Sequence, residues 1–396
     1  MERLIEELAS LTRTALQGEA QPTIASDPIA FFKLARENGL SGMVYPALKE
    51  SDLPIQIRER FKGDWLRYQA RDVAQRAAVE ELDRACDEVG LDHLYLKGVV
   101  VKECYPEPYM RAMGDIDVLF RREDMEKARA LFVEKIGFQH HMDMEAHDIF
   151  MRDRDLIVEA HRSIDVESDE ERWHVFSDPW AHAKRERGSR FAFEPEYFLL
   201  HLLRHLAKHL LSSGIGLRSI LDIGLYVGKM QAHIDQESLK TLLEHSRLDR
   251  FCANVMSLNR ILFGIDPVPS LDEEAVSDPA FIDEIVAYIA TSGVHGTAAG
   301  FNQQAVGMTR ETMKRGSTGK GRVSYLIRVA FPPRKALRDQ YAYLRTRGWL
   351  LPIAWIQRWW TKLFRQTGRT MRQVRNLRVD DAAIDDRADL FRRLGL

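Results

Sequence analysis

"YMRAMGDIDVLFRRED", residues 109–124, sets two aspartates one residue apart inside an apolar run. Asp115, Ile116, Asp117, Val118, Leu119 and Phe120 read as a strand. Successive side chains of a strand point to opposite faces. Ile116, Val118 and Phe120 therefore share a face that buries against helices, and Asp115 and Asp117 share the other. Two carboxylates a few ångströms apart repel each other unless a cation bridges them. Either the pair is solvated at a sheet edge or it holds something cationic. Mg2+ favours oxygen ligands, commonly one or two carboxylates plus substrate phosphates, so the pair has the look of a divalent-metal seat.

A third carboxylate extends the pattern. In "LIVEAHRSI" (156–164), Glu159 shares a strand face with Ile157 and His161. If this strand pairs beside the 115–120 strand, Glu159 joins the two aspartates. Three carboxylates can hold two ions about 4 Å apart, the geometry of in-line displacement at phosphorus. Upstream, "HLYLKGVV" (93–100) is a strand followed by Gly98 and a helix start. Backbone N–H groups at such a start suit phosphate oxygens, and Gly98 allows the close approach that a Cβ would block. Lys97 and Arg111 supply positive charge to phosphates.

The rest of the chain frames this core. Apolar residues recur at spacings of three and four over residues 1–89, which predicts helices. Asp27-Pro28 reads as an N-cap with Pro at the first helical position, and the long third helix ends near Gly90. Strand, helix, strand, helix and three strands then follow, with Gly137 as the stop of the second helix. From about 170 onward helix returns, in "EYFLLHLLRHLAKHLL", "SILDIGLYVGKMQ" and the stretches 235–264 and 278–290. Residues 291–322, rich in Gly, Ser and Thr, read as a loop or hinge. Proline-broken helices follow in "FPPRKALRDQYAYLR" and "WLLPIAWIQRWWTKLFRQ". The expected class is α+β: a helical region at 1–89, a small mixed-sheet unit at 90–166, a helical domain at 167–295 and a basic, aromatic-rich helical region at 296–396.

Composition narrows the partners. The 396 residues are 45% hydrophobic and 29% charged, an ordinary globular balance, with net charge −2. Lys314 to Arg378, however, holds 17 Lys/Arg and one acid, Asp339. Such asymmetry fits a polyanion or an anionic membrane surface, and equally a basic face docked on an acidic body of the same chain. Cys86, Cys104 and Cys252 are scattered and form no CxxC pair, which argues against a disulfide framework or a zinc knuckle and fits a reducing cytoplasm. The N-terminal "MERLIEELASL" is an acidic amphipathic helix rather than a signal peptide, and no run is long and apolar enough to span a membrane.

The order of motifs resembles the polymerase-β-like nucleotidyltransferase superfamily: a Gly-initiated helix, a D-h-D strand, then a later acidic strand. More narrowly the chain is similar to an uncharacterised bacterial nucleotidyltransferase family, whose members occur among exopolysaccharide and peptide-modification genes. The matching pieces are "LYLKG", Tyr105-Pro106, "RAMGDIDVLF", His147 in "AHDIF", "VEAHRSI", "HLLRHLAKH", "LDIGLYV" and "FPPR". The resemblance implies a polymerase-β-like sheet domain embedded in helical regions. It also implies transfer of an NMP group from an NTP to an acceptor, with Mg2+ (or Mn2+) held by Asp115, Asp117 and Glu159 as catalytic residues. Lys97, Gly98, Val99, Arg111 and Gly114 would bind nucleotide, with His161 and His205 facing the cleft. The acceptor would be a small molecule, glycan or peptide rather than nucleic acid. The alternative is a catalytically silent nucleotide- or partner-binding accessory in polysaccharide or peptide biosynthesis. Two positions depart from the superfamily: Val99 stands where Gly or Ser is usual, and Glu159 stands where polymerases use a third Asp.

Several features carry two readings. His201, His205 and His209 are spaced i, i+4, i+8, as a metal site or, in the favoured reading, a half-buried face with satisfied imidazoles. His161 and His147 serve as a base or, preferentially, as structural hydrogen-bonding groups. Asp222 in "SILDIGLY" needs a partner if buried, with Arg204 or Arg218 expected. "RGSTGKGR" (315–322) fails as a P-loop, since Lys314 stands where the first Gly belongs and Gly321 follows Lys320. The helix at 349–364 suits either core packing, which is favoured, or interfacial contact with a membrane.

Overall fold

The structure, a computed structural model, describes residues 1–20, 23–153, 155–164, 171–266, 271, 275, 276, 278–294, 302–338, 340–364 and 379–396. Four helices come first: α1 (Glu2–Leu16), α2 (Pro28–Glu37), α3 (Ser41–Leu48) and α4 (Ile55–Val89). Asp27 caps α2, its side chain accepting from the Ala30 N–H, with Pro28 at the first turn. The 35-residue α4 stops at Gly90, which adopts a left-handed φ of 64°.

The sheet follows: β1 (His93–Tyr95), β2 (Ile116–Phe120), β3 (Gln139–Asp143), β4 (His147–Arg152) and β5 (Leu156–His161). Between them lie the one-turn α5 (Gly98–Lys102) and α6 (Met125–Ala130), which continues as a π-helical turn to Lys135 before Gly137. The expected order is thus present, but two more strands complete the sheet where helix alone was expected, at β6 (Ala183–Arg187) and β7 (Arg190–Phe193). The seven strands run β3-β4-β5-β2-β1-β7-β6. β2 pairs parallel with β5 and antiparallel with β1, and β1 pairs parallel with β7.

Two cores clamp this sheet. Ile116, Val118 and Phe120 bury on the face expected of them, against Ala78 and Leu82 of α4 and Ala128 and Phe132 of the α6 segment. Leu94, Leu96 and Leu119 join the larger helical core on the other face. That core gathers α1–α3 with α7 (Pro195–Leu210), α8 (Leu217–Met230), α9 (Gln236–Ser246), α10 (Asp249–Phe263) and α11 (Pro279–Ser292).

The C-terminal region corrects the expected hinge. Within 291–322, α12 (Gln303–Arg315) and α13 (Thr318–Ala330) are helices, and residues 295–301 lie outside the described set. Two of the glycines there, Gly307 and Gly321, serve close helix packing rather than a loop. A Cβ at Gly321 would run into the Thr312 backbone, and one at Gly307 into the Tyr325 ring. "GKGR" is therefore helical, which removes any P-loop geometry. α14 (Arg334–Leu337), α15 (Leu351–Phe364) and α16 (Asp381–Leu394) complete the described chain, while the arginines of 365–378 lie outside it.

Candidate active site

The parallel β2–β5 ladder sets Asp117 opposite Glu159. Registered residues of neighbouring strands point to the same face, and Asp115 precedes β2 by one residue, so the three carboxylates converge. One oxygen from each of Asp115, Asp117 and Glu159 lies within 4.8 Å of the others. They open into a cleft of about 1080 Å3 whose lining also includes Lys97, Gly98, Arg111 and Gly114, a volume that suits a nucleotide-sized ligand.

The charges are unevenly balanced. Burial, then the charges of Asp117 and Glu159, push the Asp115 carboxyl up to about 6. Burial would raise Asp117 as well, but Lys97 and His161 outweigh it and hold that carboxyl well below the usual range. Lys97 Nζ is 3.3 Å from Asp117 Oδ2. His161 Nε2 is 2.9 Å from Asp117 Oδ1 and 3.4 Å from Glu159 Oε2, and these bonds raise the imidazole pKa despite burial. Burial likewise works against Glu159, and the His161 bond keeps it low. His147 Nε2 sits 3.5 Å from Glu159 Oε2 with its basicity reduced by burial. His161 and His147 thus both contact carboxylates of the site, and one nitrogen from each, with a Glu159 oxygen, also lies within 4.8 Å of the others.

An all-oxygen set of three carboxylates, one kept hard to ionise by its neighbours, fits a hard divalent cation such as Mg2+ or Mn2+. A second group, His140, Asp143 and Asp148, has Arg129 at 2.7 Å from Asp143 and 2.9 Å from Asp148, so its acids already share a cation.

The end of β1 carries an unusual turn beside the carboxylates. Lys97 has φ 41° and ψ −99°, a sparsely populated backbone state for a side-chain-bearing residue. Such strain persists where surrounding structure imposes it, commonly at functional sites. Gly98 follows because a Cβ there would collide with Met113, and it would stand 3.1 Å from Arg111 Nη1. The N–H groups of Gly98 and Val99, in the first turn, have no intrahelical acceptor. α5 spans five residues, so its dipole is short. Lys102 anchors α5 to α4 through Asp72, Nζ to Oδ1 2.5 Å.

Arg111 differs from expectation. Its guanidinium is committed in a bidentate pair to Asp222 of α8, Nε–Oδ1 and Nη2–Oδ2 both 2.9 Å. Tyr105 adds a hydroxyl donor to Asp222 at 2.7 Å. Asp222 therefore takes Arg111 as its main partner, with Arg218 Nε at 4.0 Å and Arg204 placed over the Trp173 ring instead. Only Nη1 of Arg111 remains towards Gly98. The histidine stripe forms no metal site among the described residues. His205 and His209 bond to each other, Nε2–Nε2 3.0 Å, on the cleft wall. His201 is buried with Nε2 unbonded and its pKa pushed down to about 3 by burial.

Sequence reasoning missed the α4 wall. Arg67, Arg71 and Gln75 line the same cleft as the carboxylates. Apolar spacing continues through this stretch, and nothing in it marks that Asp72 and Gln75 are buried while Leu66 and Val73 are exposed.

A family model described as an uncharacterised nucleotidyltransferase matches residues 25–264. The chain belongs to this nucleotidyltransferase family. The matched stretch covers more than half of the chain and takes in all three carboxylates, Gly98, the β6–β7 hairpin and both cleft-lining helices α7 and α8. No curated protein and no solved structure matches the chain. As a nucleotidyltransferase it is a mixed α+β protein whose family role is nucleotidyl transfer, and its acidic groups could hold a metal.

Proposed function

We propose that this protein transfers a nucleoside monophosphate from an NTP to a hydroxyl or phosphate of a small-molecule, glycan or peptide acceptor, releasing pyrophosphate. The sheet unit is read as a polymerase-β-like domain within helical surroundings. The observation that carries the proposal is the convergence of Asp115, Asp117 and Glu159, from two strands, at the mouth of one cleft with Gly98.

Asp115 and Asp117 would hold both Mg2+ (or Mn2+) ions of a two-metal arrangement, and Glu159 the catalytic one. Bound there, the metal supplies charge neutralisation at the reacting phosphate and lowers the pKa of an attacking oxygen. His161 keeps the carboxylates of Asp117 and Glu159 in register through its two contacts. Lys97, tethered to Asp117, would turn its ammonium to the triphosphate, and the N–H groups of Gly98 and Val99 would donate to its oxygens at close range. Gly114 leaves room beside Asp115, since nothing lies within 4 Å of a Cβ built there. Arg111 would orient the loop through Asp222 and offer Nη1 to phosphate. His205, uncharged through burial, would line the wall without adding charge.

One observation favours a second reading, a catalytically silent nucleotide- or partner-binding accessory. Lys97 and His161 already set positive groups against Asp117, a cation substitute from the protein itself. Divalent-metal-dependent pyrophosphate release, assayed with each of the four NTPs and a metabolite extract as acceptor source, separates the two. Release that disappears in Asp115→Asn supports transfer. Nucleotide binding without any release supports the silent accessory.

A further inference from the structure

Beyond the matched stretch, two helices turn their apolar sides outward. Trp349, Ile353, Ile356 and Trp360 recur at i, i+4, i+7 and i+11, one stripe along α15 and the turn before it. Trp349 is 77% exposed, Ile356 68% and Trp360 64%. The opposite side of α15 does the packing: Ala354 is fully buried with Leu337 and Leu344, and Trp355 meets the Phe331 ring at 5.2 Å and donates to the Pro332 carbonyl at 2.8 Å. On α13 and the residue after it, Val323, Ile327 and Phe331 repeat the pattern at i, i+4, i+8, all exposed. Trp359 Nε1 donates to the Ala330 carbonyl at 3.1 Å, so the two stripes are neighbours.

Single exposed apolar residues are ordinary, but a contiguous set is not. Half of the exposed large hydrophobics among the described residues fall between Val323 and Trp360. The border of the patch is positive. Arg315 and Lys320 line one groove with Val323, Ile327 and Phe331. Neither makes an ion pair with an acid among the described residues. From Lys314 to Phe364 the sequence has twelve Lys/Arg and a single acid, Asp339.

We infer that the α13–α15 face is a docking surface for an anionic lipid bilayer. Tryptophans flanked by aliphatic side chains and ringed by Lys and Arg match the chemistry of the headgroup boundary, where indole rings settle and cations meet lipid phosphates. A second copy would bring the same positive border against itself. A nucleic acid would gain little from Val323, Ile327, Ile353 and Ile356, which offer no stacking plane. No helix of the described residues is long and apolar enough to cross a membrane, so the contact lies on the surface. This replaces the core packing favoured for 349–364 from sequence: α15 packs through Ala354 and Trp355, and its tryptophan stripe faces outward.

The test is flotation of the full chain with vesicles of phosphatidylglycerol and, separately, of phosphatidylcholine. The wild type is expected to float with phosphatidylglycerol, to do so less at high salt, and to stay behind with phosphatidylcholine. Ile356→Glu with Trp360→Glu should lower partitioning about tenfold or more, with unchanged circular dichroism, since both residues are exposed. Arg315→Glu with Lys320→Glu should weaken it also. Absence of wild-type flotation on phosphatidylglycerol overturns the inference, as does equal flotation of the apolar variant. Concentration-dependent dimers in sedimentation that this variant dissolves, without lipid binding by the wild type, overturn it in favour of self-association.

Discussion

Asp117 and Glu159 face one another across the parallel β2–β5 pair, and a single nitrogen, His161 Nε2, reaches both carboxylates, at 2.9 and 3.4 Å. The acids of the site are therefore not equivalent. Asp117 and Glu159 share a proton-bearing neighbour, while Asp115 is repelled by both, with Lys97 offsetting this only in part.

This inequality predicts opposite stability effects for two substitutions that, on the proposed function, should both stop catalysis. Asp115→Asn removes the repelled carboxylate and should raise metal-free stability by on the order of 2 kcal/mol. Asp117→Asn strands Lys97 and His161 and should lower it by about 3 kcal/mol. Denaturant melts in chelator give the two signs, and pyrophosphate release should vanish in both. Equal stabilisation of both variants would contradict the Lys97–Asp117–His161 linkage.

The Asp115 carboxyl, raised to about 6 from an ordinary 3.8, fixes a pH dependence. It is ionised and able to ligate above about 6, so activity at limiting Mg2+ should fall as pH drops through that value. Folding runs the other way. The folded state holds this proton more tightly than the unfolded chain, so the group's stabilising contribution is full below 3.8 and is lost as pH rises to about 6. Metal-free melts across that window, wild type against Asp115→Asn, isolate the effect.

His161 titrates in the opposite sense to a depressed acid. Its folded pKa lies above 6.5 through bonds to Asp117 and Glu159, so its stabilisation is complete below 6.5 and is lost as pH rises through the raised value. His161→Gln should cost about 1–3 kcal/mol at mildly acidic pH and markedly less in alkali. Urea titrations at the two pH values measure this directly.

Gly98→Ala should lower kcat/KM about a hundredfold by displacing the Lys97–Gly98 turn, because the new methyl runs into Met113. Adding Met113→Ala makes the space and should recover most of the loss. Steady-state kinetics of the single and double variants decide it.

The Arg111–Asp222 pair joins the sheet unit to α8. Asp222→Ala leaves a buried guanidinium and should cost about 3–5 kcal/mol, whereas Arg111→Lys retains charge but not the bidentate fork, with an intermediate cost. A double-variant cycle on thermal melts separates the coupling from each residue's own packing.

What was legible in the sequence follows local period. The β2 alternation placed Ile116, Val118 and Phe120 inward, and it set Asp115 and Asp117 on the face where the structure puts Glu159. Long-range pairing was less legible: Asp222 lies far down the chain from Arg111, and nothing local names that partner. The β6–β7 hairpin escaped because "AKRER" alternates little and stays exposed at the sheet edge, where charged residues deter further pairing. Glycines at 307 and 321 mimicked a loop because close helix approach and turn formation draw on the same absent Cβ. The α4 wall was hidden because apolar Leu66 and Val73 lie exposed on that mid-section while Asp72 and Gln75 are buried, and periodicity alone does not say which polar side faces a cleft.

The three-residue β1, which leads directly into Lys97 and Gly98, is gripped by β2 on one flank and by β7 on the other. The second grip arrives late in synthesis. A nascent chain emerging from the ribosome would already possess its three acids while the strand leading into Lys97 and Gly98 still lacked its second neighbour. Contacts this distant along the chain slow the search for the native state. Fragments cut to isolate the sheet must therefore run past Phe193, and those ending near residue 166 should aggregate through the bare edge of β1.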